Sequence, residues 1–212
     1  MKRTTSVRLG ALAGALGRGL TAAAASVAVQ ASAAGPKSVS FGMVRSGNAQ
    51  AIGCLPKAHA TVTVTPKGPV EKMRVVADGL PPSTDFDLFV IQVPDNPFGM
   101  SWYQGDLETN QSGHADQTYV GRFNVETFSV APNVAPAPVV HTSPIKDANK
   151  NPATPPVHQY HLGIWFNSPK DAKAAGCQST VTPFNGEHNA GVQALSTRNF
   201  PALAGPLSKI KP

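Results

Sequence analysis

Charge is scarce in this sequence: only 14% of its 212 residues are Asp, Glu, Lys or Arg, against about a quarter in an average globular chain. Cysteine is limited to Cys54 and Cys177, with no Cys-x-x-Cys. That excludes the usual zinc-ribbon and thiol-redox motifs. No Gly-x-Ser-x-Gly elbow is present to hold a nucleophilic serine. No apolar run reaches the roughly 20 residues that cross a bilayer, since Arg18 divides the N-terminal one. A basic stripe with interleaved aromatics is also missing, which argues against a nucleic-acid partner.

What the sequence has in quantity is turn formers. Twenty prolines and 19 glycines accompany 41% apolar residues. The length suits one domain with a substantial core, many turns and few long helices.

The N-terminus reads as an export signal. Lys2, Arg3, Arg8 and Arg18 are basic, and no acidic residue precedes Glu71. A run of small apolar residues from Gly19 to Val29 leads to Ala31-Ser32-Ala33, the small-x-small pattern that signal peptidase accepts. Residues 1–33 are therefore expected to be a cleaved signal peptide, and 34–212 a single secreted domain without a transmembrane anchor. With no twin arginine and no cysteine at the cleavage point, folded export and a lipid anchor are not expected. Removing the signal lowers 18 basic residues to 14 against 12 acidic ones. The excess of basic charge thus belongs mostly to targeting. In an exported chain, two cysteines predict one disulfide, Cys54–Cys177.

Beyond the signal, strand-like segments are separated by turn signals. Thr61–Thr65 alternates strictly and breaks at Pro66-Lys67-Gly68-Pro69. Val70–Ala77 alternates again, and Phe86–Val93 is apolar at both parities, as in a central strand. Met100–Leu107 and Thr118–Val130 suggest a hairpin about the polar turn Thr109–Gly113. Val157–Phe166 and Gly191–Ser196 complete the set. Ser168-Pro169 and Gly176 bracket a short helix with an N-cap, a first-turn proline and a glycine stop. From Ala131 to Pro156, seven prolines predict a long surface loop. The fold class expected is all-β, an immunoglobulin-like β-sandwich of about 7–8 strands with one short helix.

The run Ala77-Asp78-Gly79-Leu80-Pro81-Pro82-Ser83-Thr84-Asp85-Phe86 resembles the strand–turn–strand corner of fibronectin type III and other immunoglobulin-like domains. Phe86 stands where that corner carries a tyrosine, so its hydroxyl bond is absent. The runs Trp102-Tyr103-Gln104-Gly105-Asp106 and Thr182–His188 are similar to those of a group of uncharacterised exported bacterial proteins. That resemblance implies export and no particular activity.

Several residues could carry chemistry. His158 and His161 have a His-x-x-His spacing, but a strand's two-residue period sends them to opposite faces. They could share a metal only if the strand began after His161. His114, Asp116, His141 and His188 lie in loops and could converge on an ion. Asp106 and Glu108 share a strand face, an arrangement compatible with paired glycosidase carboxylates, and Glu187-His188 could form an acid–base pair. Solvated carboxylates and a structured turn explain these more simply. Trp102, Tyr103, Asp106 and Trp165 could form an aromatic–polar surface that holds sugar rings; the alternative is that the aromatics are core.

The function expected is a non-catalytic exported domain, without cofactor, that binds a protein or glycan at the cell envelope through loops at one end, the candidates being Pro94–Gly99 with Trp102 beside it, Asn110–Asp116 and Ala131–Pro156. The other reading is a metal-binding protein or metal-dependent enzyme using the loop histidines.

Overall fold

A computed structural model describes residues 37–129, 157–183 and 189–212, all within the unit Ala34–Pro212. The leader-like segment, the proline-rich stretch 131–156 with His141, and the turn 184–188 with Glu187 and His188 lie outside the described residues.

The elements run β1 (Val39–Arg45), α1 (Gly47–Ala51), β2 (His59–Lys67), β3 (Val70–Asp78), β4 (Asp85–Ile91), β5 (Ser101–Glu108) and β6 (Ala115–Gly121). They continue with β7 (His161–Phe166), α2 (Pro169–Ala174), β8 (Thr182–Pro183), β9 (Asn189–Ala190), β10 (Gln193–Ser196) and a 3-10 turn, Pro206–Lys209. Eight strands form one nearly closed antiparallel sheet in the order β5-β4-β7-β10-β1-β2-β3-β6, and β8 pairs with β9.

β1 holds the two halves of the sheet together. Val39–Met43 pair with β2, whereas Val44 and Arg45 pair with β10. Its alternation, with Phe41 and Met43 buried between exposed Ser40 and Gly42, is a strand signal that the sequence reading passed over. The edge strands β5 and β6 meet where the Tyr119 hydroxyl donates to the Asp106 carbonyl at 2.7 Å.

The alternating segments bury one parity, as their pattern requires. On β2, Ala60, Val62 and Val64 point inward; on β3, Glu71, Met73, Val75 and Ala77 do so. They share a core with Phe86, Leu88 and Val90 of β4, Leu162, Ile164 and Phe166 of β7, and Leu195. The central position of β4 is as expected, since it pairs with both β5 and β7. Its opposite face is covered by a second cluster of Phe89, Ile91, Trp165 and Ala190, with Phe98 packed against it. Gly163 makes room for this cluster, because a β-carbon there would lie 2.2 Å from the Trp165 ring.

The expected β5–β6 hairpin does not form; the two strands occupy opposite ends of the sheet order. The turn between them is fastened instead to the β3–β4 connection, through Leu80 N to Gly113 O (3.3 Å) and Ser83 N to Asn110 O (3.0 Å). The Thr109 hydroxyl donates to Pro81 O at 2.7 Å, and two chain crossings brace one another. Phe86, lacking a hydroxyl, is a core residue packed against Phe166, with the ring centres 4.8 Å apart and the planes tilted by 39°.

The helix at Ser168 forms as expected. Ser168 Oγ accepts from Asp171 N at 3.1 Å, and Gly176 ends the helix in a left-handed conformation. Cys177 follows it and bonds Cys54, with the α-carbons 5.4 Å apart. The expectation of a single helix is corrected by α1, whose five residues are too few for a periodic signal. Ser46 caps it, accepting from Ala49 N at 3.0 Å and donating to Gln193 O at 2.5 Å.

Candidate functional site

The residues singled out as an aromatic surface separate onto different faces. A register shift between Leu88 and Phe89 leaves Gln104 as the extra residue of β5. Trp102, opposite Val90, turns toward the main core. Tyr103, opposite Phe89, faces outward and is 46% exposed. The same bulge places Asp106 on the face of Tyr103, whose hydroxyl donates to Asp106 Oδ1 at 2.6 Å. Partial burial and the Asp106 carboxylate hold that phenol well above its usual titration range. Trp165 is fully buried beneath Phe89 and Phe98, at 5.4 and 4.9 Å between ring centres. Trp102 lines a shallow groove with Gln104, Arg122, Thr127 and Ser129. Asp106 and Glu108 do share a face, opposite Asp87 and Asp85 respectively.

The histidines are dispersed. β7 begins at His161, which is fully buried and held by Thr197 Oγ1 (2.8 Å) and the Pro201 carbonyl (3.2 Å). The carbonyl can only accept, so Nε2 carries the proton and the Thr197 hydroxyl donates to Nδ1. His158 stacks on Tyr160 and lies 3.1 Å from the Thr127 carbonyl. His114 pairs with Asp78 at 2.8 Å, and Asp116 takes a bidentate bond from Arg74. That guanidinium holds the Asp116 carboxyl below its ordinary range. Among the described residues no group of three His, Cys, Asp or Glu is placed to hold a metal ion.

What the fold does assemble is a cavity of about 400 Å³ at the end where α1, the β4–β5 loop and the β8 strand meet β10. Its walls are Gly47 and Asn48 of α1, Asp95, Asn96 and Phe98 of the loop, Thr180, Val181 and Thr182, and Val192 and Gln193. Each wall is fixed from behind. Ser46 ties α1 to β10 through Gln193 O, and Phe98 packs edge-on against buried Trp165. The loop is closed by Gln92 N to Met100 O (2.8 Å), Val93 N to Phe98 O (3.1 Å), and Met100 N to the Gln92 side chain (3.0 Å). The Thr182 hydroxyl donates to Gly191 O at 2.9 Å. Gln193, only 5% exposed, reaches Pro94 O with its amide nitrogen at 3.4 Å.

Asp95 is the one charged residue lining the cavity among those described. Its Oδ1 accepts from Arg198 Nε at 3.1 Å, and Arg198 Nη1 also donates to Gln50 Oε1 at 3.1 Å. The volume falls within the range of small-molecule pockets. The sequence reading picked out the loop from Pro94 to Gly99. It missed Asn48, Thr180 and Gln193, which carry no motif and are brought together only by β10 crossing to β1.

No protein-family model matches the chain, and no curated protein matches its sequence. Among the described residues no helix is long and apolar enough to cross a membrane.

Proposed function

We propose that this chain is an exported, non-catalytic domain of immunoglobulin-like β-sandwich type that binds a glycan or protein at the cell envelope. The sandwich reading is supported by β1, which pairs with one half of the sheet and then the other, and by the core enclosed between the halves. The disulfide fits an oxidising, extracellular compartment. Cleavage after Ala33 accounts for the leader-like composition of residues 1–33.

The observation that carries the binding reading is the cavity between α1, the β4–β5 loop and β10. It lies at one end of the strands, where connecting loops sit on a rigid scaffold.

The reading is tested by immobilising the mature domain and measuring retention of the producing organism's envelope polysaccharide and protein fractions. Gly47→Leu serves as the comparison. The nearest atoms to a β-carbon at Gly47 belong to the Arg198 and Asp95 side chains, from 3.4 Å, and Gly47 itself lines the cavity, so a larger side chain there would crowd it. Retention by the native domain that Gly47→Leu abolishes is the expected result. Equal retention by both, or by neither, contradicts the reading.

A further inference from the structure

We infer that the cavity takes a neutral sugar ring, with Asn48, Asn96 and Thr180 recognising its hydroxyls; this rests on the reading of the cavity as a binding site. Asp95 is matched by Arg198 at 3.1 Å, so the lining presents no unbalanced charge. A phosphate would meet the Asp95 carboxylate at the wall. A cation would have to compete with a guanidinium already hydrogen-bonded to that carboxylate. Neither ligand class suits the site.

The polar groups that remain are amides and hydroxyls. The side chains of Asn48, Asn96 and Thr180 make no protein hydrogen bond among the described residues. Gln193 adds an amide whose nitrogen is held by Pro94 O and whose oxygen has no protein partner there. An amide offers a donor and an acceptor side by side, which matches the donor–acceptor character of adjacent sugar hydroxyls. A hydroxyl such as that of Thr180 gives and accepts at one atom. The same lining includes Phe98, Val181 and Val192, apolar surface suited to the C–H face of a pyranose. The combination of uncharged amides and hydroxyls with apolar surface in one cavity fits a polyhydroxylated ring. It fits a purely apolar ligand poorly, because burying these amides without partners would be costly.

The rigidity of the walls favours selective binding. Phe98 is seated on Trp165, and α1 is pinned to β10 by the Ser46 hydroxyl. Little conformational freedom is then lost when a ligand enters.

The experiment is saturation-transfer NMR on the intact mature domain with the methyl glycosides of glucose, galactose, mannose and N-acetylglucosamine. Inorganic phosphate and choline are run beside them as charged probes, with competition or amide shifts as their readout. At least one glycoside is expected to bind, and neither charged probe. Asn48→Ala and Thr180→Ala are each expected to weaken the glycoside by about 2- to 12-fold, the loss of one neutral hydrogen bond. Both positions are on the surface, and circular dichroism confirms that the variants fold. If no glycoside binds while other small polar molecules still shift the amides of the cavity, the sugar assignment is overturned and the binding site stands. If nothing perturbs the cavity, both fail. Glycoside binding left unchanged by both substitutions also overturns the assignment.

Discussion

Arg198 and Asp95 are 103 residues apart in the chain, yet their side chains meet at 3.1 Å at the cavity wall. The bond joins the turn after β10 to the β4–β5 loop, and a second bond from Arg198 to Gln50 joins both to α1. Asp95 is 53% and Arg198 32% exposed, so the pair adds little to global stability, about 1 kcal/mol at most. Its contribution is to place the loop and to cancel charge. Arg198→Ala should leave the thermal midpoint nearly unchanged while exposing Asp95, so that neutral ligands bind less tightly and cationic ones more. Parallel melting and ligand titration measure the two effects separately.

Glu71 is a buried carboxylate with both oxygens engaged. It accepts from Phe123 N at 2.7 Å and from Asn124 Nδ2 at 2.9 Å, holding the segment after β6 against the core. Glu71→Ala strands a buried backbone donor and should cost about 2–3 kcal/mol. Glu71→Gln, which keeps an acceptor, should cost less. Urea denaturation with an unchanged slope is the appropriate check.

Burial pushes the His161 imidazole below its ordinary titration range, outweighing the backbone groups of Pro201, Ala202 and Thr197 that favour its charged form. In the unfolded chain it titrates near the usual value of about 6.5. Below that pH the unfolded state binds a proton that the folded state does not. The stability present above about pH 6.5 is therefore lost as pH falls toward the depressed folded value, where the loss levels off. Replacing His161 with Gln should remove this part of the pH dependence in denaturation curves measured across that window.

The disulfide spans 123 residues of sequence. Constraining a loop of that size in the unfolded chain contributes up to about 4–5 kcal/mol. At about 2–4 °C per kcal/mol for a domain of this size, reduction should lower the melting temperature by up to about 8–20 °C. A melt with and without reductant is sufficient.

Strand existence was legible wherever a segment buries one parity, as in β2 and β3, or both, as in β4. Pairing was less legible. β5 and β6 are joined by a short polar turn, the usual hairpin signal, yet the bonds from Leu80 and Ser83 carry that turn around a corner. Those partners lie about thirty residues away in sequence, where local patterns carry no information. The same limit applied to the site. The loop from Pro94 to Gly99 was visible as a candidate, whereas Asn48, Thr180 and Gln193 become neighbours only once β10 pairs with β1 and β7. Trp165 looked equally suited to core or surface because its strand is covered on both faces, and the covering residue, Phe98, comes from a distant loop.

The cavity between α1, the β4–β5 loop and β10 is the proposed point of ligand entry. The most direct measurement is an amide NMR map of the mature domain titrated with a set of small neutral polar molecules. Shifts should concentrate at Gly47, Asn48, Asp95, Asn96, Phe98, Thr180, Val181, Thr182 and Gln193, and should vanish in Gly47→Leu. Shifts centred instead on the groove of Trp102, Gln104 and Arg122, or none at the cavity with any member of the set, would contradict the account.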